Sequence, residues 1–217
     1  YAMFYTALIV AAGSGSRMNL GYNKVYCNLG TKTVLERTME GFLDDQRCRQ
    51  IVIVTDPEQF HKRIKHCFSG RVVLVSGGKT RQESVAHGLE AVISDVVLIH
   101  DGARPFLDRE SLDRIVETME TEQAACLTAA CTDTIKQVKK GYIQKTLDRK
   151  VLVQAQTPQA FRTDLILKCM RKAIQEKFTG TDDCMLVEKY GEVKVKAVQG
   201  SYGNVKITTP EDLKRYQ

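Results

Sequence analysis

The 217-residue chain has no tryptophan, only four prolines and no Cys-x-x-Cys pair. It has no apolar stretch of about 18 residues, the length a membrane helix requires, and no signal-peptide pattern. Neither a membrane span nor a secretory route is expected; Tyr1-Ala2, ahead of Met3, reads as an added remnant. Its seven cysteines, at 27, 48, 67, 126, 131, 169 and 184, are odd in number, and several fall within apolar runs. That usage excludes a disulfide framework or zinc ribbon and fits a reduced, cytoplasmic compartment. A dense basic block is also missing. The net charge of +6 comes from scattered lysines and arginines, which fit small anionic substrates better than a nucleic-acid track. Internal repeats, low-complexity segments and an evident Ser-His-Asp or Cys-His set are absent too, so a protein nucleophile is not expected.

What is present fits one α/β domain over residues 1–217 with an ample core. The stretch around which it is organised runs from Thr6 to Lys24. Ala7-Leu8-Ile9-Val10-Ala11-Ala12 is short enough for a buried strand. It opens into Gly13-Ser14-Gly15-Ser16, with Arg17 and Lys24 following. A strand leading into a Gly-rich turn exposes several backbone N–H groups at one place, where phosphate oxygens can approach closely. Arg17 can fork two oxygens, and Lys24 adds a mobile point charge. Two familiar phosphate loops are excluded. A dinucleotide fingerprint requires a third glycine where Met18 stands, and a P-loop requires Gly-Lys-Ser/Thr where the chain has Asn23-Lys24-Val25.

Strand and helix signals alternate through the first half. Thr33-Val-Leu-Glu36 is a capping box for a helix over 34–43. Strand 51–55 precedes Asp56-Pro57, which opens a helix reaching about Phe68. Strand 72–75 leads to Gly77-Gly78 and a second capping box, Thr80 to Glu83. Strand 96–99 ends on His100-Asp101, and a helix follows over 109–121. This order implies right-handed βαβ units and a mainly parallel sheet. Its ligands should sit at the strands' carboxyl ends, where the loops 13–24, 76–81 and 100–105 fall. Beyond Cys131 the pattern changes to an inserted β-hairpin at about 132–152, turning at Lys140-Gly141. Such a hairpin is marginal alone and should pack against something, with a second subunit as a candidate. Helices over 164–177 and 181–190, strands over 193–198 and 204–208 and a helix from Pro210 complete the chain.

Several residues carry chemistry. Asp101, just past a strand end, can hold Mg²⁺ or cap the next turn. Arg104 can clamp a phosphate or form a surface salt bridge. His100 reads as a satisfied buried histidine. His61, His66 and Cys67 share one helix at a spacing that does not present two ligands on one face. Gly78 lies in a turn before a capped helix, a place for a base edge or a phosphate. Lys206 lies within an apolar strand, which favours an anionic ligand nearby, because lysine is seldom buried unpaired.

The pattern AAGSGSRM with a later NK resembles nucleotidyltransferases that couple a nucleoside triphosphate to a sugar phosphate. Together with SGGKTRQESV, IHDGARPF, TDTIK, TLDR, QTPQAF, GTDD and GSYGNVKITTPEDL, it resembles the 2-C-methyl-D-erythritol 4-phosphate cytidylyltransferases of non-mevalonate isoprenoid synthesis. The resemblance runs from Ala11 to Leu213. It implies a Rossmann-like α/β domain, its mainly parallel sheet covered by helices on both faces, in a homodimer that uses Mg²⁺ and transfers CMP from CTP to a sugar-alcohol phosphate, releasing pyrophosphate. By that resemblance Ala11, Ala12, Gly13, Gly15, Gly78 and Ser84 bind the nucleotide, and Arg17 and Lys24 hold the triphosphate. Asp101 serves metal and ribose. Arg104, Thr134, Arg149, Thr157 and Lys206 surround the acceptor, some of them from the partner's hairpin. The family usually has proline before the lysine, where this chain has Asn23, which leaves the loop less pre-set. Two other readings stand beside this one: the same transfer to ribitol 5-phosphate, and a non-catalytic nucleotide-binding module on the same fold.

Overall fold

The computed structural model describes residues 3–13, 22–65 and 70–216. Gly15, Arg17, His66 and Cys67 lie outside the described residues. In chain order the strands are β1 Tyr5–Val10, β2 Asn28–Leu29, β3 Lys32–Thr33, β4 Cys48–Thr55, β5 Val72–Ser76, β6 Val96–Asp101, β7 Ala124–Ala130, β8 Lys136–Lys139, β9 Tyr142–Thr146, β10 Val153–Arg162 and β11 Lys196–Gln199. The helices are α1 Val34–Leu43, α2 Pro57–Arg63, α3 Arg81–Leu89, α4 Arg109–Thr118, α5 Thr163–Gln175, α6 Asp183–Tyr190 and α7 Pro210–Arg215.

The main sheet has seven strands in the order β11-β7-β10-β6-β1-β4-β5. Every neighbouring pair is parallel except those made by β10, which runs antiparallel to both β6 and β7. The continuous apolar runs of β1, β4 and β6 follow from burial on both faces. Successive side chains leave a strand on opposite sides. Ala7, Ile9, Ile51, Ile53, Val96 and Leu98 therefore pack with Leu35, Met39 and Phe42 of α1 and Leu112 and Ile115 of α4. Leu8, Val52, Val54, Val97 and Ile99 pack on the other side, with Val85 of α3, Ile166 and Met170 of α5 and Val187 of α6. The fold is the Rossmann-like α/β sheet expected.

Local signals account for the helix starts. Thr33 and Glu36 form the reciprocal capping box. Asp56 caps α2 with Pro57 in its first turn. The second box closes only by half: Thr80 Oγ1 accepts from the Glu83 N–H at 3.1 Å, but the Glu83 carboxylate reaches one residue further back, to the Lys79 N–H at 2.7 Å. Helix α2 stops at Arg63, short of the expected Phe68, because Ile64 is already extended.

One expectation is corrected. Residues 204–208 are not a strand. They cross the turn after β6 and are held by isolated bonds, among them Ile207 N–H to the Ala103 carbonyl at 2.9 Å and Arg104 Nη1 to the Asn204 carbonyl at 2.7 Å. Thr157-Pro158 lies inside β10, as a cis peptide where the pairing with β7 shifts register. A proline is tolerated at such a break because no ladder donor is required of it.

The hairpin insertion is present as β8 and β9, paired with each other in a separate two-stranded sheet. Its turn places both Lys140 and Gly141 at positive φ, the backbone twist that two-residue hairpin turns favour.

Candidate active site

The carboxyl ends of β1, β5 and β6 converge on a cavity of about 400 Å³, within the size range of small-molecule sites. Its wall includes Ala11, Ala12 and Gly13 after β1, then Asn23 and Lys24, Gly78 to Arg81, Ser84, Asp101 and Lys206. These are the three loops expected to meet. Glycine allows close packing between these loops: a Cβ on Gly77 would stand 2.2 Å from Ala12 Cβ, and one on Gly78 2.4 Å from Glu83 Cβ. Ser84, buried on the first turns of α3, accepts the Gly78 N–H at 3.0 Å and so sets the loop's shape.

Asn23 takes over the task that a proline would perform. Its side chain accepts the Val25 N–H at 3.1 Å, capping the single 3₁₀ turn Lys24–Tyr26, and its Nδ2 donates to the Ala11 carbonyl at 2.6 Å. One amide thus ties the base of the Lys24 loop to the end of β1. The loop on the lysine side is pre-set by hydrogen bonds instead of by a fixed φ.

Asp101 is the charged centre. Lys206 Nζ lies 2.9 Å from its Oδ2 and Arg104 Nε 3.6 Å from the same oxygen, while Arg81 Nε lies 3.3 Å from Oδ1. Burial alone would push its pKa up, but Arg81, Lys206 and Arg104 outweigh that and hold it well below the ordinary carboxylate range. Lys206 is therefore paired within the protein, with Asp101 as its anion. Burial lowers the pKa of the Arg104 guanidinium, with Asp101 opposing. Arg81 is also bound to the buried Asp183, Nη2 to Oδ2 at 2.9 Å. Burial raises the pKa of Asp183 against the pull of Arg81.

Behind Asp101 runs a chain of buried hydrogen bonds. The Asp101 N–H donates to Thr157 Oγ1 at 3.0 Å, and Thr157 Oγ1 lies 2.9 Å from His100 Nδ1. His100 Nε2 lies 2.9 Å from the Arg104 carbonyl. A carbonyl can only accept, so the proton sits on Nε2, Nδ1 accepts, and the Thr157 hydroxyl donates. Burial pushes His100 down to a pKa of about 4, keeping the ring neutral at pH 7.

Of the predicted site residues, the cavity thus gathers Ala11, Ala12, Gly13, Lys24, Gly78, Ser84, Asp101 and Lys206. Arg104 and Thr157 lie beneath Asp101, not on the wall. Thr134 and Arg149 are exposed at the root of the arm and do not line the cavity. Sequence reasoning assigned no role to Arg81 or Asp183, although both stand within the motifs SGGKTRQESV and GTDD; only their meeting across 102 positions reveals the pair.

Among the described residues no three His, Cys, Asp or Glu side chains gather into a metal-binding group, and no helix is long and apolar enough to cross a membrane. A lone carboxylate on the cavity wall fits a cation held mainly by substrate phosphates, the usual arrangement for Mg²⁺, and not one held in an all-protein cage.

A doubly wound sheet with a cavity and a cation-ringed carboxylate at its carboxyl ends defines a nucleotidyltransferase-type α/β protein. A family model described as 2-C-methyl-D-erythritol 4-phosphate cytidylyltransferase (IspD) matches residues 5–217. Relatives of that name from Geobacillus thermodenitrificans and Halalkalibacterium halodurans are 42% and 43% identical, each alignment covering 97% of this chain and 94% of the relative. The solved 4-diphosphocytidyl-2C-methyl-D-erythritol synthase of Anaerococcus prevotii superposes with a TM-score of 0.89 at 32% identity, covering 100% of this chain and 97% of that one. The chain belongs to the 2-C-methyl-D-erythritol 4-phosphate cytidylyltransferase family, and it is a nucleotidyltransferase.

Proposed function

We propose that the chain transfers CMP from CTP to 2-C-methyl-D-erythritol 4-phosphate, releasing pyrophosphate, as a Mg²⁺-dependent cytoplasmic homodimer. The observation that carries this reading is the convergence of Lys24, Asp101 and Lys206 on a cavity also lined by residues 11–13 and 78–80. The acceptor's phosphate oxygen attacks the α-phosphorus of CTP in line, and pyrophosphate leaves. Catalysis is then positioning and stabilisation of developing charge, with no covalent enzyme intermediate.

In this reading Ala11, Ala12, Gly13, Gly15, Gly78 and Ser84 present backbone and small side chains to the nucleotide. Lys24 and Arg17 take the triphosphate's negative charge. Asp101 would hold Mg²⁺, which would offset negative charge on the triphosphate. Lys206 exchanges its bond to Asp101 for one to the acceptor phosphate, which its half-exposed ammonium allows. Arg104 and Thr157 act from beneath by fixing the turn that carries Asp101. Thr134 and Arg149 reach an acceptor from the arm of a second copy. The support for that assembly is the arm's surface, where Val138, Tyr142 and Ile143 are 59%, 76% and 64% exposed, too much apolar area for a projecting hairpin to leave in water. Free thiols at all six described cysteines suit a reduced compartment.

The test is pyrophosphate release. We expect it to require both CTP and 2-C-methyl-D-erythritol 4-phosphate; CTP binding without release in the presence of the acceptor would make the chain a nucleotide-binding module instead.

A further inference from the structure

One buried carboxylate has no task in the transfer described above. Asp183 opens α6 and is 1% exposed. Its Oδ2 takes the Arg81 Nη2 donor at 2.9 Å, while Nε of the same guanidinium faces Asp101 Oδ1 at 3.3 Å. One cation is therefore divided between two carboxylates, and the shorter bond goes to Asp183, the one that does not line the cavity.

The chain on either side of Asp183 is tied down independently of that bond. Gly180 N–H donates to Gln82 Oε1 at 2.9 Å, and Gln82 Nε2 donates to the Phe178 carbonyl at 2.9 Å. From β10, Gln159 accepts the Cys184 N–H and donates to Asp182, each at 2.9 Å. The start of α6 is thus a fixed post, and the long Arg81 side chain is the partner able to turn between the two carboxylates. Without the charge on the post, nothing would oppose a two-armed Arg81–Asp101 pair, the strongest geometry open to a guanidinium and a carboxylate. Asp101 already meets Lys206 and Arg104 on its other oxygen. A full Arg81 clamp would leave it little negative charge to offer.

We propose that Asp183 is a positioning residue: by holding Arg81 from behind, it keeps the guanidinium from closing on Asp101 and so leaves Asp101 able to meet the cation that accompanies the triphosphate. The inference rests on the reading above, in which Asp101 faces metal-bound CTP.

The test measures CTP affinity by calorimetry with and without Mg²⁺, in the absence of acceptor so that nothing turns over. The chains compared are the wild type, Asp183→Asn and Arg81→Gln/Asp183→Asn. In Asp183→Asn the strengthening of CTP binding by Mg²⁺ should fall about tenfold, the scale of one redistributed charged hydrogen bond, with metal-free affinity changed far less. The double variant removes the clamp as well as the post, so its Mg²⁺ effect should return to within about threefold of wild type, because the two sites act as one unit. A purely structural role for Asp183 predicts the opposite: a double variant as weak as the single one. That result would overturn the proposal, as would an unaltered Mg²⁺ effect in Asp183→Asn or equal losses with and without metal. Thermal unfolding accompanies each titration, and collapse of both variants would assign Asp183 to stability and overturn it too. A wild-type chain whose CTP affinity ignores Mg²⁺ contradicts the underlying metal reading, and it is distinguishable because it appears before any substitution is made.

Discussion

Lys24, Asp101 and Lys206 were legible as single letters because each sits oddly in its surroundings: a cation after a Gly-rich turn, a carboxylate at the end of an apolar strand, a lysine in an apolar run. Their partners were not legible, because a pair such as Lys206 and Asp101 exists only once the chain has folded. Asn23 shows the same limit in reverse. It read as a loss of stiffness, yet its two side-chain bonds restrain the turn. At this scale Lys24→Ala should lower kcat by roughly 10²–10³-fold, the usual cost of removing one preorganised donor to a developing charge, while the melting temperature stays close to wild type. Steady-state kinetics on the purified variant decides it, and near-normal kcat would remove Lys24 from the triphosphate site. His100 gives a second expectation. Its pKa is about 4 in the folded chain against an ordinary 6.5. Between those values the unfolded chain binds a proton that the native ring refuses, so stability falls as pH drops from 6.5 towards 4, by up to roughly 3 kcal/mol. Urea unfolding across that range should show the loss, and His100→Asn should flatten it; an equally steep loss in the variant would assign the acid sensitivity elsewhere.

Elements were legible wherever a local signal carried them. The helix starts at Thr33, Asp56 and Thr80 could be read from capping residues alone. Strand β7 was missed because Ala-Ala-Cys-Leu-Thr-Ala-Ala has little apolar contrast and few β-branched side chains, and its place between β10 and β11 is decided by tertiary packing. Residues 204–208 misled for the opposite reason. Val205 and Ile207 alternate as a strand would, but Ile207 fills a small cluster with Leu29 and Val34 beside the turn after β6. The arm was legible because it interrupts the α/β rhythm. If β8 and β9 pack across a two-fold axis, replacing Tyr142 and Ile143 by lysine and glutamate should give a folded monomer by sedimentation equilibrium. That monomer should bind CTP and lose turnover, since Thr134 and Arg149 would no longer reach a neighbouring site. An active monomer would detach the arm from catalysis.

For the molecule as a whole, the sheet order places every loop of the cavity at carboxyl ends of parallel strands, so fold and site follow from one arrangement. The order of strands and helices was enough to expect that convergence, and the family motifs were enough to expect its chemistry. The depth of Arg104 and Thr157 beneath Asp101 required the folded structure. Chelation by EDTA should abolish turnover and added Mg²⁺ restore it, with Asp101→Asn impaired at any attainable metal concentration; full activity in metal-free buffer would contradict the role given to Asp101. The acceptor is the central claim. In the proposed reading Arg149 and Lys206 would meet the phosphate of 2-C-methyl-D-erythritol 4-phosphate and of ribitol 5-phosphate alike, so discrimination must come from contacts with the carbon chain and its hydroxyls, where one methyl contributes only about 1–3 kcal/mol and a site built around a particular hydroxyl contributes more. The direct measurement is kcat/KM for each acceptor with saturating CTP and Mg²⁺. The account predicts a ratio of at least about tenfold in favour of 2-C-methyl-D-erythritol 4-phosphate, and a ratio favouring ribitol 5-phosphate would contradict it.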